Sequence, residues 1–587
     1  MQRTDLRPSF AKATASEQGY GRQACPHCSS TFAITDADLK FYDDVSPIFN
    51  GKKESIPPPT LCPDCRMQRR LMFRNDLCLY HRKSDLTGKA MISMYAQDKT
   101  FKVYDQDEWW SDQWDELSYG RDFDFSRTFT EQFRELNLAV PHQGLFTTNA
   151  ENSYYTNHSL NTKNCYLIAG ATNLEDCLFG RFIISGNDVV DGLSLYGCKW
   201  CYEGVASQQC YQCMFFRHSR DCSSCLVIDD CQSCKNCCMC FGFKSKEYCY
   251  LNEQLTKEEY EQRISKHFPL TVEGINAMRR QLSELSIKLP HRSLHIFSSE
   301  DCTGDMVFNS QHSENCYDCT NCQDCKYVSN TPNGINSQDA NYTAPQGVEL
   351  CYNVNSTLGS RCIGTFLIWY GSDIYYSREC HQSSHLFGCV GMRHKKYCIF
   401  NKQYSKEEYE ALVPKIIEHM RTPLRSPDGS YAGQEWGDYL KPELSTMGYN
   451  ETLAQEYFPI KKEEAITQGW QWHDEDDSKE QYLGPDHEIP AVIADVPDDI
   501  TKQILRCSVT GKPFKIIPQE LKFYRAMGIP IPRKCPEQRH KERLAMRNPR
   551  KLWKRQCTKC QKEMETTYAP ERSESVYCES CYLASVY

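Results

Sequence analysis

The residues with the clearest chemistry are eight cysteines, grouped as four Cys-x2-Cys pairs near the two ends of the chain. They are Cys25, Cys28, Cys62, Cys65, Cys557, Cys560, Cys578 and Cys581. Two such pairs can supply four thiolates to one zinc ion in tetrahedral geometry. Four protein ligands leave no open position for water or substrate, which is typical of structural zinc. The sequence therefore predicts two structural zinc sites, one towards each end of the chain.

The two sites belong to one module that occurs twice. Residues 25–42 match residues 507–524, and residues 62–109 match residues 535–582. At the positions of its missing site, the N-terminal copy has Ser84, Thr87, Asp105 and Glu108, and the C-terminal copy has Cys507, Thr510, Cys535 and Gln538. A fixed self-similarity of this kind indicates one folding unit used twice. We expect one zinc site in each copy, a treble-clef knuckle in the first and a zinc ribbon in the second.

Basic residues follow the second cysteine pair of each treble-clef region at helical spacing. They are Arg66, Arg69, Arg70 and Arg74 in the first copy and Arg539, Arg543, Arg547, Lys551 and Lys554 in the second. Spacings of three and four residues place such side chains on one face of a helix. Several phosphate contacts on that face would bind RNA or DNA with strong salt dependence. The alternative is a basic face that is solvated or neutralised by acidic residues of the same chain.

Composition limits the class of protein. The chain has 587 residues with a net charge of −9, which is enough for several domains. The charge is uneven, because residues 533–556 are basic and residues 473–500 are acidic. Neither an apolar run of membrane-spanning length nor a secretory signal occurs. We expect a cytoplasmic protein whose 35 cysteines are reduced thiols or metal ligands rather than disulfides.

The middle of the chain is a repeat with cysteines at a period of 12. The series consists of Cys165, Cys177, Cys201, Cys213, Cys225, Cys237 and Cys249, with Val189 in its one gap. Short apolar segments at a fixed period, separated by turn residues, predict a β-solenoid with 12 or 24 residues in each coil. The block recurs at an offset of 149, where the period reappears as Cys362, Ile374, Leu386 and Cys398. A capping box at Thr256 or Ser405 starts a helix after each block, as a cap or a linker.

The cysteines of the repeat have two interpretations. The run Cys316, Cys319, Cys322 and Cys325 resembles iron–sulfur spacing, and the cluster from Cys231 to Cys240 does so as well. Neither ends in the Cys-Pro of a ferredoxin run, which disfavours an iron–sulfur cofactor. Aliphatic residues occupy some positions of the same period, so a ladder of buried thiols is the preferred interpretation.

The predicted fold is mainly β with α: tandem Cys-rich β-solenoid blocks flanked by duplicated small α+β zinc modules. Its segments are a disordered leader at 1–22, the first zinc module at 23–110, an acidic aromatic connector at 111–150, solenoid blocks with capping helices at 151–290 and 291–420, a linker with an acidic stretch at 421–500, and the second zinc module at 501–587.

Three functional hypotheses follow. The first is a non-enzymatic zinc protein that binds nucleic acid through the arginine helices. The second is a protein-interaction scaffold built on the solenoid and the zinc ribbons. The third is an enzyme, either carbohydrate-active or a nuclease, but no carboxylate pair stands out among 77 acidic residues and His540 is isolated. No catalytic residue, specific ligand or oligomeric state is predicted.

The chain also resembles a group of bacterial proteins of unknown activity. The matching segments are KKYCIFNKQYSKEEY at 395–409 and YNETLAQEYFP at 449–459. Those proteins join zinc-ribbon modules to a Cys-rich repeat that ends in a Lys-Glu-Glu-Tyr helix. The resemblance implies the fold for most of the chain after about residue 20, and it implies no activity.

Overall fold

A computed structural model describes residues 21–422, 435–474 and 484–586. Residues 1–20 of the predicted leader and residues 475–483 of the acidic stretch lie outside the described ranges. The architecture is mainly β, with two β-solenoid blocks in the middle and a small α+β module at each end. The fold predicted from the sequence is confirmed.

The N-terminal module consists of short antiparallel hairpins and helices. Its strands are β1 (Arg22–Ala24), β2 (Thr31–Ala33), β3 (Ile48–Phe49), β4 (Lys52–Lys53), β5 (Tyr80–Lys83), β6 (Ala90–Ser93) and β7 (Val103–Tyr104). Its helices are α1 (Asp36–Val45), α2 (Pro63–Leu71) and α3 (Gln106–Trp110). Helix α4 (Phe129–Ala139) and strand β8 (His142–Gln143) lead into the solenoid, and β8 pairs in parallel with β7.

The first solenoid block is a stack of parallel strands. They are β9 (Thr147–Glu151), β10 (Ser159–Lys163), β11 (Thr172–Glu175), β12 (Arg181–Ile184), β13 (Asn187–Val190), β14 (Leu193–Tyr196), β15 (Lys199–Gln208), β16 (Met214–Arg217), β17 (Leu226–Asp229), β18 (Lys235–Phe241) and β19 (Glu247–Tyr250), with β20 (Glu253–Gln254) antiparallel at the end. Residue Leu160 pairs with Thr172, and Met214 pairs with Leu226. A coil therefore has 12 residues, which decides between the two predicted lengths.

Helices α5 (Lys257–Ser265) and α6 (Val272–Ser286) follow the first block, and strand β21 (His291–Arg292) leads into the second. The strands of the second block are β22 (Ile296–Phe297), β23 (Gly304–Phe308), β24 (Cys316–Thr320), β25 (Gly334–Ile335), β26 (Gln338–Asn341), β27 (Val348–Glu349), β28 (Tyr352–Asn355), β29 (Leu358–Tyr375), β30 (Arg378–His381), β31 (Ser384–Phe387), β32 (Lys396–Ile399) and β33 (Lys402–Gln403). Helix α7 (Lys406–Arg421) follows it. The register again advances by 12, as in Leu386 with Cys398.

Each block ends under a helix. The capping boxes at Thr256 and Ser405 are both formed, as predicted. Tyr260 of α5 lies with its ring centroid 5.8 Å from that of Tyr248, and Tyr409 of α7 lies 5.8 Å from Tyr397. These equivalent aromatic pairs hold each helix against the last coil. A covered last coil is what a solenoid requires, because an open coil is an exposed sheet edge.

Every third residue of a coil turns a corner. Non-glycine residues with positive φ recur at steps of three, as at Asn161, Asn164 and Leu167 in the first block. Asn and Asp tolerate this left-handed conformation better than other residues, and they occupy many of these corners. Stacked corner amides bond from coil to coil, with Asn149 Nδ2 donating to Asn161 Oδ1 at 2.9 Å. Each coil is therefore a four-sided turn of three-residue sides.

In each three-residue side, the first residue points into the narrow core and the next two point outward. Buried cysteines fill many of these positions, and their thiols lie near backbone carbonyl oxygens. Cys213 Sγ is 3.5 Å from the carbonyl oxygens of both Tyr211, two residues earlier, and Cys222, nine residues later. Glycine is required where a large neighbour fills the core, since a Cβ on Gly204 would lie 2.5 Å from the ring of Phe216.

The C-terminal part contains α8 (Leu453–Tyr457) and α9 (Lys462–Thr467), then the second module. That module has strands β34 (Leu505–Arg506), β35 (Pro513–Phe514), β36 (Trp553–Gln556), β37 (Glu563–Thr566) and β38 (Val576–Tyr577) and helices α10 (Pro518–Met527), α11 (Pro536–Ala545) and α12 (Glu579–Val586). Short 3₁₀ helices lie at Glu116–Tyr119, Pro442–Leu444, Tyr449–Glu451, Ile493–Asp495 and Asp498–Lys502.

The modules are arranged crosswise on the blocks. Strand β7 of the first module pairs with β8 before the first block, and β38 of the second module pairs with β21 before the second block. The apolar core of the first module nevertheless continues into the second block, where Phe73 packs on Phe366 with ring centroids 6.1 Å apart. The second module packs on the first block, with Tyr524 5.7 Å from Tyr202. Each module thus touches both blocks.

Candidate metal centres

The four N-terminal cysteines converge on one point. The turn between β1 and β2 carries Cys25 and Cys28, and the start of α2 carries Cys62 and Cys65, with Pro63 in the first turn. The four Sγ atoms lie within 4.8 Å of one another, and Cys28 Sγ is 3.5 Å from Cys62 Sγ. A tetrahedron with metal–sulfur bonds of about 2.3 Å has edges of about 3.8 Å. The thiols are therefore spaced as ligands of one metal ion.

The four C-terminal cysteines form a second group of the same kind. Cys557 and Cys560 lie in the turn between β36 and β37, and Cys578 and Cys581 lie at the start of α12. Their Sγ atoms are also within 4.8 Å of one another, and Cys560 Sγ is 3.7 Å from Cys578 Sγ. Both predicted groups of ligands are thus brought together, each by a hairpin turn and a helix start.

Local hydrogen bonds favour a thiolate at some cysteines of each group and oppose it at others, since the bond to Cys62 raises the pKa of Cys65 and the bond to Cys560 raises the pKa of Cys581 to about 12. The Cys65 thiol, donating to Cys62, is the main reason that the pKa of Cys62 falls to about 5. Burial would raise the pKa of Cys557, but the backbone N–H groups of Cys560 and Cys578 outweigh it and lower that pKa to about 6. Metals bind the deprotonated thiol, so each group offers a thiolate readily at neutral pH, and a bound cation would displace the protons of the remaining thiols.

The missing site of each module is filled by protein groups. In the first module, Glu108 accepts hydrogen bonds from the hydroxyls of Ser84 and Thr87, so three of the four ligand positions form one bonded cluster. In the second module, Thr510 Oγ1 lies 3.9 Å from Cys535 Sγ. Within the described ranges, the two four-cysteine groups are the sole clusters of three or more potential ligands.

The cysteines of the solenoid core stay apart from this chemistry. The run Cys316, Cys319, Cys322 and Cys325 is buried and forms no such cluster among the residues described. Its thiols approach carbonyl oxygens instead, with Cys319 Sγ 3.3 Å from Tyr317 O. The cysteine is a compact apolar side chain with a weak donor, which suits a core whose corners present carbonyl groups.

The arginines of α2 point into the second solenoid block. Arg66 Nε is 2.9 Å from Asp339 Oδ2, and Arg70 Nη1 is 3.0 Å from Asp339 Oδ1, with all three side chains at 5% exposure or less. Arg70 also donates to Asn341 Oδ1 at 2.6 Å. One turn further along, Arg74 Nε donates to Asp76 at 2.8 Å. A single corner carboxylate therefore binds two successive turns of the helix.

The arginines of α11 repeat this arrangement on the first block. Arg539 Nη1 is 2.7 Å from Asp191 Oδ2, and Arg543 Nη2 is 3.0 Å from Asp191 Oδ1. Asp191 is fully buried and, like Asp339, has positive φ at a corner of a coil. Arg547 and Arg550 both pair with Asp318 of the second block. The two helices are thus docked on opposite blocks by the same pairing.

These contacts leave most of the predicted basic helix faces buried rather than exposed. Five of the arginines are buried and form ion pairs with carboxylates of this chain: Arg66, Arg70, Arg74, Arg539 and Arg543. Arg69 and Arg547 are partly exposed. Lys551 and Lys554 are exposed, and Lys554 Nζ lies 3.6 Å from Glu563. Of the predicted nucleic-acid contacts, these last four keep some access to solvent.

The sequence did not predict the aspartates that pair with these arginines. Asp191 and Asp339 lie 348 and 273 residues from Arg539 and Arg66 along the chain. Both are single aspartates among many corner residues of the same type. Only the period itself, which places a corner at every third position, could have marked them as outward-facing.

A large cleft lies between the two docked helices. Its volume is about 1120 Å³, and residues of both modules line it, including Asp64 and Met67 from α2 and His540 and Leu544 from α11. Residues from the segment at 450–459 form another wall.

Charged side chains form a bonded cluster in the wall of this cleft. Arg181 Nε is 3.1 Å from Asp76 Oδ2, and Arg181 Nη2 donates to Glu456 Oε1 at 2.9 Å. His540 Nε2 lies 3.5 Å from the same carboxylate. Burial lowers the pKa of His540, and Arg181 lowers it further. Arg74, which pairs with Asp76 at 2.8 Å, gives the cluster two cations for two carboxylates. The cluster is therefore internally balanced, and it fixes the wall of the cleft rather than presenting a free charge.

No protein-family model matches this chain, and a search of curated proteins finds no significant match. Within the ranges that the structure describes, no helix has the length and apolar character needed to cross a membrane. The fold and the two cysteine groups define the class as a β-solenoid protein with two candidate metal centres.

Proposed function

We propose that this is a non-enzymatic scaffold protein in which two zinc-bound modules clamp a double β-solenoid and a protein segment binds in the cleft between them. The observation that carries the proposal is the crossed docking, in which α2 binds Asp339 and α11 binds Asp191. That docking places the two modules on opposite sides of one cleft.

Zinc is the metal that best fits the ligands. Four thiolates at tetrahedral spacing favour zinc over metals that prefer oxygen ligands or open coordination. A closed four-thiolate site offers no position for a substrate, which supports a structural role. The metal would then join the hairpin to the helix start in each module and hold the docked helix in place.

The lining of the cleft favours a protein over a nucleic acid. Exposed residues of both charges line it, namely Asp64, Glu537, Lys541 and Lys551. Nucleic-acid sites are predominantly basic, whereas protein interfaces mix both signs with apolar groups. Partly buried Leu544 and Tyr457 add apolar surface between those charges. Most arginines of the predicted basic helix faces are already paired, so few cations remain to bind phosphates.

Metal content tests the first part of the proposal. Elemental analysis of the purified protein should give two zinc ions per chain, and Cys62→Ser and Cys578→Ser should each remove one. Cys535→Ser, at the corresponding position of the degenerate site, is the matched control and should keep both. A metal content that falls in the control as in the other two variants would refute the assignment of sites.

The partner is tested by charge reversal in the cleft. The variant Lys541→Glu/Lys551→Glu should lose a co-purifying protein whose crosslinks map to the cleft and survive nuclease. Lys266→Glu/Lys288→Glu, at exposed positions after α5 and α6 and outside the cleft, should retain it. RNA and duplex DNA are titrated in parallel at low and moderate salt. Salt-sensitive nucleic-acid binding that only the cleft variant loses would replace the protein partner by a nucleic acid.

A further inference from the structure

A second, smaller cavity lies at the seam between the two solenoid blocks. Its volume is about 330 Å³, which is within the range of small-ligand pockets. One wall comes from the first coils of the first block, including His158 and Phe182, and the facing wall comes from the second block, including Thr343 and Trp369. The cavity is separate in its lining from the cleft between the modules.

Three polar atoms in the lining have no partner among the described residues. They are His158 Nε2, Asn330 Nδ2 and Thr343 Oγ1. Asn330 and Thr343 are 3% and 8% exposed, and all three atoms are enclosed by protein beside the cavity. A buried polar group left without a hydrogen bond costs about 1–3 kcal/mol. Small rotations of these side chains would bring the three groups to the cavity surface, where a ligand would supply the missing hydrogen bonds.

The lining carries no charge available to a ligand. Arg74 is bonded to Asp76 and donates to Ser356 Oγ at 2.7 Å, and its guanidinium lies 4.7 Å from the ring of Tyr342. Burial, together with Arg74, lowers the pKa of His158 to about 3, so this imidazole is neutral at physiological pH. A phosphate or carboxylate would therefore be buried without a counter-charge, which is unfavourable.

Aromatic and amide groups make up most of the remaining surface. Phe182, Tyr196, Trp369 and Tyr370 supply ring faces, and Tyr370 is 55% exposed at the rim. The exposed corner amide of Asn161, which bonds to Asn173 at 2.9 Å, continues the rim along the first block. Ring faces beside uncharged hydrogen-bonding groups suit a ligand with an apolar face and a hydroxylated edge.

We propose that this seam cavity binds a neutral saccharide of one or two rings. The flat C–H face of a sugar ring would lie on the aromatic side chains. Its hydroxyl groups would pair with the exposed corner amide of Asn161 and, once these side chains turn towards the cavity, with Asn330 Nδ2, Thr343 Oγ1 and His158 Nε2. The binding needs no catalysis, and it does not depend on the protein partner proposed for the cleft between the modules.

The test uses the full-length, metal-loaded protein with cellobiose, maltose and N,N′-diacetylchitobiose as probes. Calorimetry and tryptophan fluorescence should show at least one of them binding with a Kd below about 1 mM. Thr343→Val removes only the hydroxyl, and Tyr370→Ala removes a rim ring that is largely exposed. Each should weaken binding about 5- to 10-fold. Tyr211→Ala, an exposed tyrosine outside the cavity, is the matched control and should bind as wild type.

Three results would overturn the proposal. One is the absence of binding by all three probes at about 10 mM. Another is binding that Thr343→Val and Tyr370→Ala leave unchanged while both variants keep the wild-type melting temperature. The third is adenosine binding more tightly than any saccharide and displacing it, which would assign the cavity to a nucleobase instead.

Discussion

Replacing Asp339 by Asn should undock the first module from the second block. The substitution keeps the shape of the side chain but removes the negative charge between Arg66 and Arg70, whose contacts to the carboxylate are 2.9 and 3.0 Å. All three side chains are buried, so the two guanidinium groups would remain in the interior without a counter-charge. Removing one partner of a buried ion pair costs about 3–5 kcal/mol. The opening of α2 should therefore become about 10²- to 5 × 10³-fold more frequent, since 1.36 kcal/mol is a factor of ten.

Hydrogen exchange measures this effect where it arises. Amides of α2 should exchange faster by that factor in Asp339→Asn, while amides of the distant α11 keep their protection. Asp373→Asn is the matched control, because Asp373 is also a corner residue bound by one arginine, Arg361, but that arginine is 52% exposed. An exposed pair contributes about 0–1 kcal/mol. Equal, small effects of the two substitutions would show that the docking does not depend on the buried charge.

Three further predictions concern the buried groups. His381→Phe should preserve stability at neutral pH, because both ring nitrogens of His381 are buried without partners. Burial lowers the pKa of His381 to about 3, so the wild-type protein loses stability as pH falls from about 6.5 towards 3. The urea midpoint of the variant should therefore fall less over that range than the wild-type midpoint. Glu379→Gln should make the urea midpoint depend less on pH in the acid range. Although burial opposes it, His142 and Arg378 hold the pKa of Glu379 at about 2. The stabilisation from this carboxylate is therefore complete above about pH 4.5 and is lost as pH falls towards 2. Thiol titration of the folded, metal-loaded protein should modify only the partly exposed Cys78 and Cys302, and reaction of the ladder thiols before unfolding would contradict the buried core.

The sequence determined the repeat more completely than it determined the surfaces. The period of 12 identified the coils, and the cysteine spacing identified both groups of metal ligands, because each is a local pattern. The exposure of the basic helices is not determined by a local sequence pattern. A helix with arginines at spacings of four looks the same whether its partner is a phosphate or a carboxylate of Asp339. Counter-charges hundreds of residues away decide this, and the sequence alone does not place them against the helix.

The crossed arrangement anchors both docked helices in the same way along their length and in different ways beyond their ends. Each helix is fixed by a corner aspartate, and the segment after α11 adds a second anchor, where Arg547 and Arg550 pair with Asp318 of the second block. After α2, Arg74 pairs with Asp76 of its own module and donates to Ser356 Oγ of the second block, while Asp76 pairs with Arg181 of the first block. Both modules therefore reach both blocks through ion pairs, the second through a solenoid carboxylate and the first through a carboxylate of its own and a solenoid arginine. The difference in metal ligands between the two modules therefore does not follow from a missing anchor.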